Sequence, residues 1–457
     1  MMFDLFEDSK KRVHFIGIGG ISMSGLAEIL IDYGYTVSGS DRVSSNLTEK
    51  LQNLGAKIYI GHDASNVHGA DIVVYTAAIK EDNPELIEAK RLNLEIMDRA
   101  EFLGQIMRKY SKGIAISGTH GKTTTTSMVS LILLNANLDP TIMVGGEVDA
   151  IKGNVRPGKS PYFVTEACEY KKSFLKFYPY IGLILNIDAD HLDCYKDIDE
   201  IHESFFKFAQ LIPKNGCLIA YAEDKRVVDI IEKVNCNKIS YGINKGDFTA
   251  TNIVYDEKGC PSFTALYKGS PYYNFKLSIP GEHNILNALA SIACCNFLQI
   301  DKKIMAQSLL DFKGTHRRFE KKGENNGVVV IDDYAHHPAE IKATLKAAKN
   351  YPHNRIYCVF QPHTYSRTIS LFNEFASAFN DVDKLILTDI YAAREKDTGV
   401  VSSEMLCDAI YQNGVNVEFI KSFDDIVDYL KKELHGGDIL ITMGAGDVYK
   451  VGESFLK

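Results

Sequence analysis

The segment Gly118-Thr119-His120-Gly121-Lys122-Thr123-Thr124 constrains this chain more than any other. It lies between an apolar run, Gly113–Ser117, and a helical stretch, TTSMVSLILL. A strand that feeds a glycine-rich loop and then a helix points backbone N–H groups and a helix N-terminus at an anion. Glycines let the backbone approach phosphate oxygens without a Cβ in the way. Lys122 is placed to meet the β- and γ-phosphates as a point charge, and the Thr123 hydroxyl to ligate Mg2+. The full phosphate-loop pattern asks for Gly at position 116, where this chain has Ile116, so the loop is shorter than usual. A plain turn before an ordinary helix explains the strand–loop–helix setting less well than triphosphate binding does.

The rest of the chain has the same α/β texture. Val13–Ile18 is apolar, Ser22–Tyr33 helical, and Thr36–Gly39, Lys57–Ile60 and Ile72–Tyr75 have strand character. Alternation of this kind predicts parallel sheets with helices on their faces. After a polar stretch, Met107–Lys112, come the phosphate loop and strands at Tyr162–Thr165 and Ile181–Asn186. The texture then turns β-rich (SFTALYKG, YYNFKLSIPG) and is followed by a helical stretch, Asn284–Leu298. A third α/β series runs through VVVIDDYAHHP, RIYCVFQPH, KLILTDIY and DILITMGAGD. The pattern predicts three α/β domains over residues 1–106, 107–313 and 314–457, which suits a chain of 457 residues.

Charge and thiols narrow the setting. With 51 Lys+Arg against 59 Asp+Glu, a net charge of −8 argues against broad binding to nucleic acid or anionic membranes. The opening MMFDLFEDSKKR lacks the apolar core of a signal peptide, and no apolar run reaches the ~18–20 residues of a membrane span. Nine cysteines without a CxxC pair favour reduced thiols in a cytoplasmic protein with no membrane insertion.

Other residues can complete a phosphoryl-transfer site. Glu166 follows the strand YFVT, and His191 follows LILNIDAD. Parallel strands bring their C-terminal ends to one edge, where a carboxylate can hold Mg2+. Histidine is a less usual ligand for so hard a cation. The first glycine turn, Gly17-Ile18-Gly19-Gly20-Ile21-Ser22, departs from a dinucleotide fingerprint at Ser22. With Asp41 after the second strand, it suits either NAD or a nucleotide diphosphate on a helix N-terminus. The third domain gathers His316-Arg317-Arg318, Asp332-Asp333, His336-His337, His363 and Arg367. Arginine's fixed donor fork fits carboxylate and phosphate oxygens. The bland alternative for each is solvated surface charge. A metal on the His336-His337 pair lacks nearby Cys or further His ligands.

Taken in order, GTHGKTT, EACEYKKSFL, NIDADHLDCY, GEHNILNALA, GTHRRFE, IDDYAHHP and QPHTYSRT resemble the motifs of the Mur ligases. Within that family HFIGIGGISMSGLAEIL and AAIKEDNPEL fit best the members that join L-alanine to UDP-N-acetylmuramate. The resemblance runs from about His14 to Gly446. It implies an N-terminal Rossmann-like domain holding the UDP-sugar, a central P-loop ATPase-type domain, and a C-terminal Rossmann-like domain that closes over ATP and the amino acid. The implied reaction is ATP-dependent amide formation through an acyl phosphate, in peptidoglycan precursor synthesis. The implied cofactor is Mg2+, with Mn2+ as a substitute.

By motif match the resemblance assigns Lys122, Glu166, His191, Arg317 and His336 to catalysis and Thr123, Glu166 and His191 to the metal. It assigns Gly118 to Thr124, Asn284, Asn287, Arg317 and Asp332 to ATP. Gly17, Gly19, Gly20, Ser22, Asp41 and Thr76 fall to the UDP-sugar, and His336, His363 and Arg367 to the amino-acid side.

Two departures stand out. Cys168 and Lys171 replace acidic or small residues of the family pattern, and Thr364 stands where many relatives carry arginine, which leaves Arg367 as the anchor for the alanine carboxylate. A carbamylated lysine beside the metal, found in several relatives, has no clear counterpart; Lys207 matches only loosely. Three other readings compete. A recycling ligase would attach a ready-made peptide to the same UDP-sugar. A nicotinamide-dependent oxidoreductase would leave the phosphate loop unused. A nucleotide-gated binding module would need no metal carboxylate. Substrate-holding residues spread over three domains require those domains to approach each other. Small-angle scattering is expected to give a smaller radius of gyration with an ATP analogue plus UDP-sugar; an unchanged radius refutes closure.

Overall fold

The computed structural model describes residues 11–76, 78–191, 194–393 and 395–457. The charged N-terminal stretch up to Lys10, and Leu192 and Asp193 of the NIDADHLDCY motif, lie outside the described residues. Backbone contacts divide the chain into two compact units. The first comprises Met1–Ile187, His202–Ser240 and Ser291–Asp301; the second comprises Asp188–Ile201, Tyr241–Ala290 and Lys302–Lys457.

The first unit opens with strands β1 (Arg12–Ile16), β2 (Thr36–Asp41), β3 (Lys57–Ile60), β4 (Ile72–Tyr75) and β5 (Glu95–Asp98). They form a parallel sheet in the order β3-β2-β1-β4-β5. The chain reverses direction across the sheet at β1, which opens a crevice at the strands' C-terminal ends. Val13, Phe15 and Ile16 of β1 are fully buried, and the Phe15 ring meets Phe102 edge-on at 5.6 Å.

The same unit continues with β6 (Lys112–Ser117), β7 (Thr141–Val148), β8 (Gly153–Arg156), β9 (Tyr162–Glu166), β10 (Ile181–Ile184), β11 (Cys217–Tyr221) and most of β12 (Asn237–Tyr241). Strand β6 lies between β10 and β9, parallel to both. Buried on both faces, it is apolar throughout its centre, as parallel strands require. Strand β8 turns antiparallel at the β7 edge. The expected strand Ile181–Asn186 ends at Ile184. Beyond it the Leu185 amide still reaches the Ser117 carbonyl, and Asn186 is spent on the phosphate loop.

Within this unit the N-terminal sheet's helices pack on the central sheet. The Tyr33 and Tyr110 hydroxyls meet, Tyr110 donates on to Thr141 Oγ1 at 2.9 Å, and Asn154 Nδ2 donates to the Ile21 carbonyl at 2.9 Å. Helix Arg99–Arg108 lies against the Tyr170–Lys176 turn so closely that a Cβ on Gly104 would sit 2.0 Å from the Lys176 carbonyl oxygen.

The second unit holds an antiparallel meander, β13 (Phe248–Tyr255), β14 (Pro261–Tyr267) and β15 (Ser270–Lys276). Its larger sheet has the order β16 (Glu320–Asn325), β17 (Val328–Asp333), β21 (Ile439–Met443), β18 (Ile356–Phe360), β19 (Lys384–Leu387), β20 (Val417–Phe419). All but β16 run parallel. Residues alternate between the two faces as a pleated strand demands. Ile331, Phe360, Leu385 and Ile441 pack under helices Pro338–Lys349 and Ser403–Gln412. Val330, Val359, Ile386 and Leu440 pack under Phe423–Glu433 and Tyr449–Phe455.

All nine cysteines are free thiols, and among the described residues no helix is long and apolar enough to cross a membrane. Gly104→Ala is expected to lower unfolding free energy by about 1–3 kcal/mol, because the added methyl meets backbone rather than a movable side chain. Chemical denaturation of the two proteins checks it; equal midpoints would show that the helix can slide away.

Candidate active site

The phosphate loop is built as its residues demand. Gly118 (φ +139°) and Gly121 (φ +83°) take conformations that side-chain-bearing residues rarely adopt. A Cβ on Gly118 would come within 2.8 Å of Leu185 Cβ and 3.1 Å of its amide nitrogen. Asn186 clasps the loop: Oδ1 accepts from the His120 amide at 2.8 Å, Nδ2 donates to the His120 carbonyl at 3.1 Å, and its own carbonyl accepts from Thr119 at 3.3 Å. Gly121 then caps helix Lys122–Asn135. The amides of Lys122, Thr123 and Thr124 belong to the first turn, which has no intrahelical acceptors. They offer donors, and the positive end of the helix dipole, to an anion.

Lys122 Nζ donates to the carbonyls of Gly118 at 2.5 Å and Thr119 at 3.0 Å, and it pairs with Glu169 at 3.1 Å. Burial works against its charge, but the Glu169 carboxylate outweighs burial and keeps the ammonium more basic than an ordinary lysine. Burial, together with Glu169, pushes the neighbouring Cys168 thiol up to about 11. At neutral pH the position that departs from the family pattern therefore carries no charge. Glu166 ends β9, and its Oε1 accepts from the Gly145 amide at 2.7 Å. A Cβ on Gly145 would meet Glu166 Oε2 at 2.8 Å, and one on Gly146 would lie 3.4 Å from Thr123 Cγ2. The Gly145-Gly146 pair thus leaves room beside β7 for Glu166 at the first position and for Thr123 at the second. Both are hard oxygen donors, the chemistry that suits Mg2+.

The first glycine turn is assembled in the same unit. Gly17 and Ile18 donate to the Ser40 carbonyl at 2.8 and 3.0 Å, and Gly19 donates to Asp41 Oδ2 at 2.8 Å. A Cβ on Gly17 would strike Thr76 Cγ2 at 2.8 Å. Gly20 caps helix Ile21–Asp32, and Ser22 occupies its first turn. Gly17, Gly19, Gly20, Ser22, Asp41 and Thr76 therefore share one crevice edge. Asp41 is committed to the turn, because its other oxygen accepts from the Arg42 amide at 2.7 Å.

His191 belongs to the second unit, and the loop, Glu166 and Thr123 belong to the first. It adopts φ +57° and follows Asp190. Asp190 binds Arg367 at 3.0 Å. Burial alone would raise the Asp190 carboxyl, but His191, Arg367, His336 and His337 hold it well below the usual carboxylate range. His336 Nδ1 lies 3.0 Å from the Tyr334 carbonyl, which assigns the proton to Nδ1 and the lone pair to Nε2. His363 Nδ1 accepts from Arg367 Nη1 at 3.2 Å, and its ring stacks on Tyr391 at 5.6 Å. Burial pushes both His336 and His363 down to about 4, so both rings are neutral at pH 7. His337 spends Nδ1 on the Ala339 amide and Nε2 on the Ala189 carbonyl.

Arg317 (φ +60°) donates Nε to Asp332 Oδ2 at 2.9 Å and Nη2 to the Gly444 carbonyl at 2.7 Å. Its guanidinium lies over Tyr334 and Tyr449, at 5.0 and 4.7 Å. Burial raises the Asp332 carboxyl despite Arg317. Asn284 and Asn287 are buried together; Asn284 Nδ2 donates to the Pro280 carbonyl at 2.7 Å, and Asn287 Nδ2 donates to Asn284 Oδ1 at 3.0 Å. The residues expected around ATP are thus divided between the units: the loop in the first, and Asn284, Asn287, Arg317 and Asp332 in the second.

Sequence reasoning missed Asn186, Gly145-Gly146 and Asp190. Asp190 had a signal, standing beside His191 in the DADH segment; the others act through backbone geometry.

The two neutral imidazoles carry a pH consequence. An unfolded histidine titrates near 6.5 and these at about 4, so the unfolded chain binds more protons in between, and stability falls as pH drops from 6.5 toward 4. Denaturant midpoints between pH 7.5 and 5 are expected to fall, and to fall less steeply in His363→Gln; identical slopes would refute it.

Comparison with known proteins gives the family. Residues 12–111 match the Mur ligase family catalytic domain, 116–295 the Mur ligase middle domain, and 317–446 the Mur ligase glutamate ligase domain. The chain is 61% identical over 456 residues to a UDP-N-acetylmuramate–L-alanine ligase of Clostridium acetobutylicum, with 100% of both chains covered. It is 62% identical over 457 residues to the enzyme of that name from Clostridium tetani, again with 100% of both covered. Among solved structures it is similar to the UDP-N-acetylmuramate-alanine ligase of Thermotoga maritima, with a TM-score of 0.82, 30% identity, and 97% of this chain and 98% of that one covered. A murein peptide ligase from Psychrobacter arcticus gives 0.72 at 26% identity, with 98% of each chain covered. Likeness of this extent, running through all three sheets and from one end of the chain to the other, makes the chain a member of the Mur ligase family.

Proposed function

We propose that this chain joins L-alanine to the lactyl carboxylate of UDP-N-acetylmuramate, converting ATP to ADP and phosphate. The observation that carries the reading is full-length identity of about 60% to ligases of that name. The phosphate loop supports it with a lysine and a carboxylate of the right chemistry.

A carboxylate is a poor electrophile, and phosphorylation supplies a leaving group. A lactyl oxygen attacks the γ-phosphorus, and the bond to the ADP oxygen breaks. The alanine amine then attacks the acyl carbon, phosphate leaves, and the nitrogen loses a proton. In this reading residues 1–106 hold the UDP-sugar through Gly17, Gly19, Gly20, Ser22, Asp41 and Thr76. Residues 107–313 hold ATP on the loop from Gly118 to Thr124, and residues 314–457 bring Arg317, Asp332 and the amino-acid side. Both partners of the first step are anions, and Lys122 offsets their repulsion. Thr123 and Glu166, with His191 as a third proposed partner, would hold Mg2+, which when bound would supply further positive charge. Arg367, oriented by Asp190, anchors the alanine carboxylate. His336, neutral with its lone pair on Nε2, takes the amine proton. The nucleotide-sugar substrate and the free thiols suit a cytoplasmic setting.

Phosphate release from Mg-ATP with UDP-N-acetylmuramate is expected with L-alanine. Turnover only with the L-Ala–γ-D-Glu–diamino-acid tripeptide would instead assign the chain to peptide recycling, and silence with both would refute ligation. Lys122→Ala is expected to lower kcat by roughly 100-fold or more, because it removes the fixed charge facing the transferring phosphoryl group. Glu169→Gln frees Lys122 from its internal partner and is expected to change KM for ATP more than KM for alanine.

A further inference from the structure

One buried polar cluster in the first unit has no part in the phosphoryl chemistry. Glu85, in the first turn of helix Pro84–Arg91, is fully buried. Its carboxylate accepts from Ser40 Oγ at 2.6 Å, Asn66 Nδ2 at 2.6 Å and His62 Nδ1 at 3.0 Å. The His14 ring of β1, itself hydrogen-bonded to Ser38, approaches it at 3.8 Å. Burial opposes the charge, but His14, Ser40 and Asn66 outweigh it and hold the carboxyl below its ordinary range, so Glu85 is an anion and only accepts.

The position of the cluster gives it a direction. Ser40 ends β2, and its carbonyl holds the amides of Gly17 and Ile18. Gly61 and His62 follow β3, and the Gly61 amide donates to the Asp41 carbonyl at 2.7 Å. His62 therefore stands at the same C-terminal strand edge as the glycine turn. Because an ionised Glu85 can only accept, the His62 Nδ1 carries a proton. The ring nitrogen left over is Nε2, on a side chain that keeps 16% exposure. Asp41, in the position of a ribose-binding acid, already receives two backbone amides.

We infer that His62 is a nucleoside-contacting residue of the UDP-sugar site: Glu85 fixes its ring so that Nε2 accepts a hydrogen bond from a ribose hydroxyl or the uracil N–H. Glu85 is a positioning residue, acting through His62 and through Ser40 on the glycine turn. The inference rests on the reading that this crevice binds the UDP-sugar.

The test is titration calorimetry of the full chain with UDP and with inorganic pyrophosphate, alongside KM for UDP-N-acetylmuramate. His62→Ala is expected to weaken UDP about tenfold, the loss of one hydrogen bond to a buried partner. His62→Gln, whose amide oxygen can accept in place of Nε2, recovers much of it. Glu85→Gln weakens UDP several-fold. The loss falls on KM for the UDP-sugar, while pyrophosphate and ATP affinities hold. His68→Ala, a change at an exposed histidine paired with Glu88, serves as control and leaves all values in place. If wild type binds UDP and both His62 variants keep its affinity, the inference is overturned while the nucleotide-sugar reading stands. If wild type binds no UDP, both fall. Should Glu85→Gln fail to fold, the His62 pair still decides.

Discussion

The close approach of the loop after β6 to the end of β10 is the contact on which the rest of the active site depends. Gly118 lies where no Cβ fits beside Leu185, and Asn186 closes the gap with hydrogen bonds to both sides of His120. Without that clasp the helix N-terminus would not face the edge where Glu166 ends its strand. The two parallel neighbours of β6 thus do different work: β10 holds the loop, and β9 supplies the carboxylate. The same logic recurs in the N-terminal sheet, where β2 holds the glycine turn after β1. It recurs again in the C-terminal sheet, where Arg317 joins Asp332 at the end of β17 to Gly444 just beyond β21.

Charge is handled differently in the two units. In the first, Lys122 and Glu169 are a matched buried pair within hydrogen-bond reach of loop carbonyls. In the second, Asp190 collects positive and polar neighbours, while His336 and His363 lose their protons to burial. The outcome is a cluster that offers imidazole lone pairs at neutral pH beside a guanidinium. Asp333, pushed up to about 6 by burial, accepts from the Ala335 and Phe319 amides and so ties the His336 loop to the Arg317 turn.

Much of this was legible in the residues. Lys57–Ile60 and Ile72–Tyr75 are strands at their expected limits, because short β-branched and aromatic runs bounded by turns have few alternatives. The glycine loop announced itself through spacing. Strand β16, Glu320–Asn325, did not: EKKGEN has no apolar pattern, since an edge strand beside solvent needs none. Asn186 was absorbed into an expected strand, because nothing local shows that its amide faces back to a loop 66 residues earlier. His191 directly follows Asp190, the carboxylate that receives Arg367 from 177 residues along the chain, and no strand pattern shows such a pairing.

Thr364 illustrates how a site can be set before any ligand arrives. It holds φ +68° and ψ 142°, a conformation that a β-branched residue avoids. Its amide donates to the Tyr391 carbonyl at 2.9 Å, and its carbonyl accepts from Thr368 through both amide and hydroxyl. Strain of this kind, of order 1–3 kcal/mol, persists only where surrounding bonds over-determine it. The cost is met once, when the domain folds. His363 and Arg367, on either side of it, are therefore held in register beforehand, and a ligand bound between them would have little ordering entropy charged against its affinity.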